Sequence, residues 1–255
     1  MYYYIYHPDL KKTKHSKLII SIETQLNKLG LDGKAIKLGA YTNLEERVQE
    51  LDFTSKDTLV VIGDDELFFN TINLIETMKN KPVFGYIPIF QDSNLTQNLG
   101  LSAGDKAVMV IANRRVENLD LGQVGEDFFL ESIKILEPKV ELKFNGKFKT
   151  QNPAGVGEIE ILNLKNLMID INQQKQVNPR DGQLEVIFIE NKKSLFQSQT
   201  KKINSFFRGK KINIKSLNGE VDLLVDNYKI KKTPQEVIIS KNKLKLIVGK
   251  NRLIN

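Results

Sequence analysis

The stretch Leu59-Val60-Val61-Ile62-Gly63-Asp64-Asp65-Glu66-Leu67-Phe68-Phe69-Asn70-Thr71-Ile72-Asn73 decides the reading of this chain. An apolar strand runs into a turn at Gly63, and the turn opens a helix. That is the layout of a phosphate loop, where glycine lets the backbone come close to the oxygens and aim N–H groups at them. Gly63 supplies one such position. Asp64 and Glu66 then stand where side-chain carboxylates repel phosphate. At an effective dielectric of about 20, a like charge at roughly 4 Å costs on the order of 4 kcal/mol. A bridging Mg²⁺ would reverse that sign. The competing reading is helix capping, since acidic residues at a helix start satisfy its N–H groups and suit its dipole. Both readings stay open on this stretch alone.

Composition narrows the classes. The chain has 255 residues, enough for one large domain or two small ones, and its 40% hydrophobic content can bury a core. No window approaches the roughly 18 apolar residues of a membrane span. The start, Met1-Tyr2-Tyr3-Tyr4-Ile5-Tyr6, is too short and aromatic for a signal peptide. The absence of cysteine excludes disulfides, thiolate metal sites and cysteine nucleophiles, and a cytoplasmic location is expected. Only His7 and His15 are present, which argues against multi-histidine metal sites. A net charge of +7 favours anionic partners or reflects a lysine-rich background composition. The run Arg208-Gly209-Lys210-Lys211 after Phe206-Phe207 is either a peripheral membrane-surface contact or a solvated turn. No basic–aromatic motif supports a nucleic-acid partner.

Periodicity and turn signals give the organisation. Strands are expected at 2–6, 34–38, 58–62 and 82–88, alternating with helices at 17–29, 43–51 and 68–79 and a helical turn at 95–99. This alternation predicts a parallel sheet with helices on both faces over residues 1–104. Beyond Gly104, short β runs separated by turns such as Asn145-Gly146, Asp181-Gly182 and Asn218-Gly219 predict an antiparallel sandwich or open barrel over 105–255. Those runs include 107–112, 167–171, 236–239 and 244–248, with a helical interlude at 193–207. The last strand either stays in that lobe or returns to the first. The expected fold class is therefore α/β and two-lobed, with a ligand cleft between the lobes at the carboxyl ends of the parallel strands.

Motif order along nearly the whole chain resembles the diacylglycerol kinase catalytic domain family, which includes bacterial lipid kinases and sphingosine kinases and is related in fold to NAD kinase. Tyr3-Tyr4-Ile5-Tyr6-His7-Pro8 is similar to the family's opening strand ending in Asn-Pro. Thr42 sits where a nucleotide-contacting threonine is common. Val60 to Asn73 resembles V-V-x-G-G-D-G-T-x-N-E-x-x-N. Gly85-Tyr86-Ile87-Pro88 with Asn98-Leu99-Gly100 resembles the next glycine-rich block. Asp181-Gly182-Gln183-Leu184-Glu185-Val186 resembles D-G-x-L-D-V, and Val225-Asp226-Asn227-Tyr228 stands at I-D-G-E.

The resemblance implies ATP and Mg²⁺ as cofactors and a lipid hydroxyl as phosphate acceptor, with a lipid or membrane surface as partner. It implies nucleotide contacts from Pro8, Thr42, Gly63, Asp65, Asn73 and Pro88. Asp65 and Asp226 are its catalytic carboxylates, and Asp181 is its magnesium position, with the Gln183 carbonyl as a second donor. Phosphoryl transfer needs such positioning and charge neutralisation. The departures fall on the chemistry. Asp64 and Glu66 replace loop glycines, Leu67 replaces the phosphate-contacting threonine, and Phe90-Gln91 replaces Gly-Thr. Asn227-Tyr228 replaces Gly-Glu. Two functions are therefore expected from this reading: a lipid kinase with weak or no catalysis, or a non-catalytic relative that binds lipid, nucleotide or protein. Oligomeric state is left open. NAD kinase, which expects an Asn-Glu pair, is disfavoured by Asn70.

Overall fold

The computed structural model describes residues 1–11, 15–38, 43–90, 93–152, 154–155, 157–164, 177–192 and 200–253. Two compact units make up the chain. Residues 1–119 and 243–253 form the first, and 120–242 form the body of the second.

The first unit is a parallel α/β sheet. Strands β1 (Tyr2–Tyr6), β2 (Gly33–Lys37), β3 (Thr58–Gly63) and β4 (Val83–Pro88) lie in the order β2-β1-β3-β4, all parallel. All six residues of β3 and all six of β4 are buried, as expected of central strands covered on both faces. The helices are α1 (Ser16–Lys28), α2 (Leu44–Gln49), α3 (Asp65–Thr77), α4 (Asn94–Leu99) and α5 (Lys106–Asn113). Helix α3 docks through Phe68, whose ring stacks on Phe84 at 5.0 Å and tilts against Tyr86 at 4.6 Å, both on β4. Helix α1 buries Ile22 and Leu26. Its end matches the expected glycine cap, with Gly30 at φ +64° just past the last turn.

Helix α5 corrects the sequence reading. Residues 107–112 were expected to be a β run, but they are helical, burying Ala107, Val108 and Ile111. A short apolar run has no decisive period, and here packing settles it. A Cβ placed on Gly85 would meet Ile111 Cδ1 at 2.9 Å, so the bare glycine on β4 makes room for α5. The first unit accordingly extends to Leu119, beyond the change of texture at residue 104.

The second unit is antiparallel β throughout its described residues, with part of β5 (Val116–Val124), then β6 (Asp127–Phe129), β7 (Ser132–Ile135), β8 (Val140–Phe144), β9 (Phe148–Gln151), β10 (Glu158–Leu162), β11 (Leu184–Lys192), β12 (Thr200–Gly209), β13 (Lys211–Ser216), β14 (Asp222–Val225), β15 (Lys229–Lys232) and the start of β16 (Gln235–Ile247). One sheet runs β12-β11-β10-β7-β14-β15, and a second pairs β16, β13, β8 and β9. Val140, Leu142 and Phe144 alternate inward on β8 against Ile133, Ile135, Ile159 and Ile161 of the first sheet, which makes the packed sandwich.

Two more expectations change. Residues 200–207, part of the expected helical interlude, belong to strand β12, where Ile203 and the Phe206-Phe207 pair suit a pleated surface. The runs at 236–239 and 244–248 are one thirteen-residue strand, β16. The polar Lys241-Asn242-Lys243 between them is extended, exposed backbone where the chain leaves the second unit for the first. The run at 167–171 lies outside the described residues. No helix among the described residues is long and apolar enough to cross a membrane.

Candidate functional site

The carboxyl ends of β1, β3 and β4 come together in the first unit. Gly63 pairs with Pro88, the Ile89 N–H donates to the Gly63 carbonyl at 3.0 Å, and the His7 N–H donates to the Ile62 carbonyl at 2.9 Å. Four of the six expected nucleotide-contacting positions, Pro8, Gly63, Asp65 and Pro88, therefore gather at one end of the sheet. Pro8 opens a single 3₁₀ turn, Pro8–Lys11, directly after β1. Asn73 is not part of this cluster. It lies well along α3, about 12 Å beyond Asp65 at 1.5 Å per residue, and its side-chain amide donates to the Phe69 carbonyl at 3.1 Å. Thr42 lies outside the described residues.

At the start of α3, where the sequence reading sets phosphate binding against helix capping, the acceptor for the first N–H groups comes from the chain itself. Asp64 is the N-cap, and its carboxylate accepts from the Leu67 N–H at 2.8 Å. Its other oxygen is 3.2 Å from His7 Nε2. The N–H that a bound phosphate would use thus already faces an anion. Leu67 is buried, and its Cδ2 lies 2.9 Å from where a Cβ on Gly63 would sit, so its side chain covers the glycine's open face. His7 also meets the Phe90 ring edge-to-face at 5.9 Å, and His15 does the same at 5.6 Å. Phe90, which the resemblance sets against a glycine, packs between the chain's two histidines. Replacing Asp64 by Ala is expected to cost about 1 kcal/mol of stability through loss of the cap, read by urea denaturation.

Asp65, the expected catalytic carboxylate of this unit, accepts a hydrogen bond from the Tyr86 hydroxyl at 2.8 Å. Tyr86 is buried. That burial, and then the adjacent Asp65 carboxylate, hold its hydroxyl far above the usual phenol range, so it donates as a neutral group. The sequence reading missed this partner. The residue stands among the apolar residues of a central strand, and only the β3–β4 register (Val61 opposite Tyr86) reveals what its hydroxyl reaches.

Asp226, the second expected catalytic carboxylate, occupies a tight turn of the second unit. Asp226 and Asn227 have φ of +45° and +61°, and the Tyr228 N–H closes the turn on the Val225 carbonyl. Two consecutive left-handed residues match a type I′ hairpin joining β14 to β15. The carboxylate points into the core, where it accepts from the N–H groups of Leu130 (2.8 Å), Glu131 (2.8 Å) and Ser132 (3.0 Å). Burial pushes its pKa up to about 7 while the three donors pull it back down. Its lone pairs hold the β6–β7 bend.

Asp181 lies on an exposed turn and accepts from the Gln183 N–H at 3.0 Å. The buried Asp120 carboxylate accepts from the Gly182 N–H at 2.7 Å and pins the same turn. A residue missed as a candidate stands nearby on β11. Glu185 is fully buried, and among the described residues neither carboxylate oxygen makes a well-formed hydrogen bond, the backbone N–H groups of Glu185 and Asn178 only drawing its pKa down. Arg208 Nε is 3.3 Å away, close enough for charge but off hydrogen-bond geometry. Burial, then the Asp181 carboxylate, raise Glu185 to about 7, with Arg208 opposing. Its acid residue was legible in the D-G-x-L-D-V resemblance, but its burial was not. Among the described residues no three acidic or histidine side chains group as a metal site. Two carboxylates with an orphaned buried pair of oxygens still fit magnesium, which binds through one or two carboxylates and keeps several waters.

No protein-family model matches the sequence, and no curated protein matches it. Solved structures do. The chain has the fold of diacylglycerol kinase structures. A diacylglycerol kinase from Bacillus anthracis str. Sterne matches with a TM-score of 0.76 at 17% identity, covering 99% of this chain and 98% of that one. Two further structures from the same organism, provisionally assigned as diacylglycerol kinases, match at TM-scores of 0.76 and 0.75 with 15% identity, each over 99% of this chain.

Proposed function

We propose that this chain is a diacylglycerol kinase-family protein whose nucleotide site is closed, with weak or no transfer of phosphate from ATP to a lipid hydroxyl. One observation carries the reading: the Asp64 carboxylate caps α3 at the Leu67 N–H, where a phosphate oxygen would bind. Leu67 and Phe90 fill places that the family leaves to glycine or a small hydroxyl residue. Asp226, committed to three backbone donors, is a structural carboxylate in this reading, and the orienting of an acceptor hydroxyl falls to Asp65 alone.

The same reading places a structural magnesium at Asp181, with Glu185 as its second carboxylate and the Gln183 carbonyl beside them. The ion would supply charge neutralisation to a buried carboxylate that Arg208 at 3.3 Å offsets only in part. Asp181 and Glu185 would bind and orient it from one turn and one strand.

ADP production from Mg·ATP in the presence of mixed-lipid vesicles tests the proposal. The expected result is turnover absent or far below the roughly 1–100 per second of ordinary kinases. Turnover in that ordinary range, abolished by Asp65→Asn in a variant that stays folded, would show an open site and overturn the proposal.

A further inference from the structure

The second unit contains a cavity of about 300 Å³ that the kinase reading does not use. Strand β9 and the loop after it supply Gln151 and Asn152. Strands β11 and β12 supply Phe188, Asn204, Ser205 and Phe207. The strands around it are irregular at this spot. Phe188 pairs with Ser205 and Ile189 with Ile203, so Asn204 is an extra residue without a partner across the ladder. A bulge of this kind bends the strand and re-aims a side chain, and such bulges concentrate beside functional sites. Here the re-aimed residue lines the cavity.

The lining has two characters. Phe188 and Phe207 meet edge-to-face at 5.7 Å, and Phe207 tilts against Phe148 at 5.5 Å, so one side is an aromatic wall. The other side is amide and hydroxyl groups. Gln151 is held from outside by Glu141, to which its Nε2 donates at 2.8 Å. Among the described residues no charged side chain lines the cavity, although the chain carries a net +7.

These features select a ligand chemistry. Among the described residues an anionic ligand would find no cation in the lining. A pure hydrocarbon would strip water from the amides and hydroxyls without replacing their hydrogen bonds. Amides and hydroxyls both donate and accept, as sugar hydroxyls do. A sugar ring also presents a C–H face that packs on an aromatic ring. The volume lies at the small end of ligand pockets, which suits a single ring. We propose that this cavity binds a neutral sugar through its hydroxyls and one apolar ring face. The inference is independent of the nucleotide reading.

An NMR titration of ¹⁵N-labelled protein with methyl β-D-glucopyranoside tests it, with glucose 6-phosphate and adenosine as comparison ligands. Saturable shifts are expected at the amides of residues 150–152, 188–189 and 204–207. A dissociation constant of about 1 mM is expected for a neutral ligand of this size at ordinary efficiency per atom. Asn204→Ala, at an exposed bulge position, should weaken binding about tenfold while the rest of the spectrum is unchanged. Should that variant disturb the fold, Gln151→Ala gives the same readout from the opposite strand. The proposal is overturned if the glycoside produces no saturable shifts, if adenosine or the sugar phosphate binds as tightly, or if neither variant weakens binding.

Discussion

Asp226→Ala is expected to lower the unfolding free energy by about 4 kcal/mol, because it leaves three buried N–H groups without an acceptor at roughly 1–3 kcal/mol each. Those groups belong to Leu130, Glu131 and Ser132, and all three bonds lie between 2.8 and 3.0 Å. Asp226→Asn preserves shape but turns an amide N–H₂ toward donors, so it should cost about 1–2 kcal/mol, the lost bonds outweighing the relief of a carboxyl that burial raises to about 7. Denaturant unfolding of both variants makes the measurement. A carboxylate kept for catalysis gives the opposite pattern, since removing a buried charge with no structural task leaves stability unchanged or improved. A loss below about 1 kcal/mol in both variants would therefore contradict the clamp described above.

Glu185→Gln is expected to stabilise the protein by about 3 kcal/mol above neutral pH when divalent cations are chelated. The carboxyl rises from 4.5 in the unfolded chain to about 7 in the folded one, a difference of about 3 kcal/mol. Its sign follows from proton binding. Between those two values the folded state holds more protons than the unfolded state, so stability falls as pH rises from 4.5 to 7 and the full cost is present above 7. Denaturation at about pH 5 and about pH 8 should show this slope in the wild type and a shallower one in Glu185→Gln, where the raised carboxyl of Asp226 still contributes. Arg208 is 43% exposed and loses little when its partner is neutralised. Magnesium should raise the melting temperature of the wild type at the higher pH and leave Glu185→Gln unmoved, since it binds the ionised form. A variant that is less stable at high pH, or that gains as much from magnesium as the wild type does, would contradict this account.

The parallel sheet was legible because β3 and its neighbours are continuous apolar runs separated by helical spacing, and glycine or proline marks their ends. The motif order carried the fold across a sequence only 15–17% identical to the solved structures it matches. Helix α5 was not legible, because Ala-Val-Met-Val-Ile-Ala has strand composition and only the space above Gly85 makes it helical. At the head of the sheet, the choice between capping and phosphate binding was left open by the acidic run. It turns on the direction of one side chain: Asp64 faces back to Leu67 rather than outward. For Asp226, sequence could offer only a turn or a catalytic acid. Long-range pairing with residues 130–132 is a third role that local pattern does not encode. Tyr86 and Glu185 were missed for the same reason, since burial and cross-strand register create their interactions.

The most direct test of the closed loop is isothermal titration of Mg·ATP into the wild type and into the combined Asp64→Gly, Glu66→Gly and Leu67→Thr variant. The wild type should give no binding heat at nucleotide concentrations up to about 1 mM, and the variant, with its backbone N–H groups bared, should gain measurable affinity. Saturable binding of Mg·ATP by the wild type below that concentration, or a variant that gains nothing, would contradict the claim that the chain's own carboxylate and leucine occupy the phosphate position.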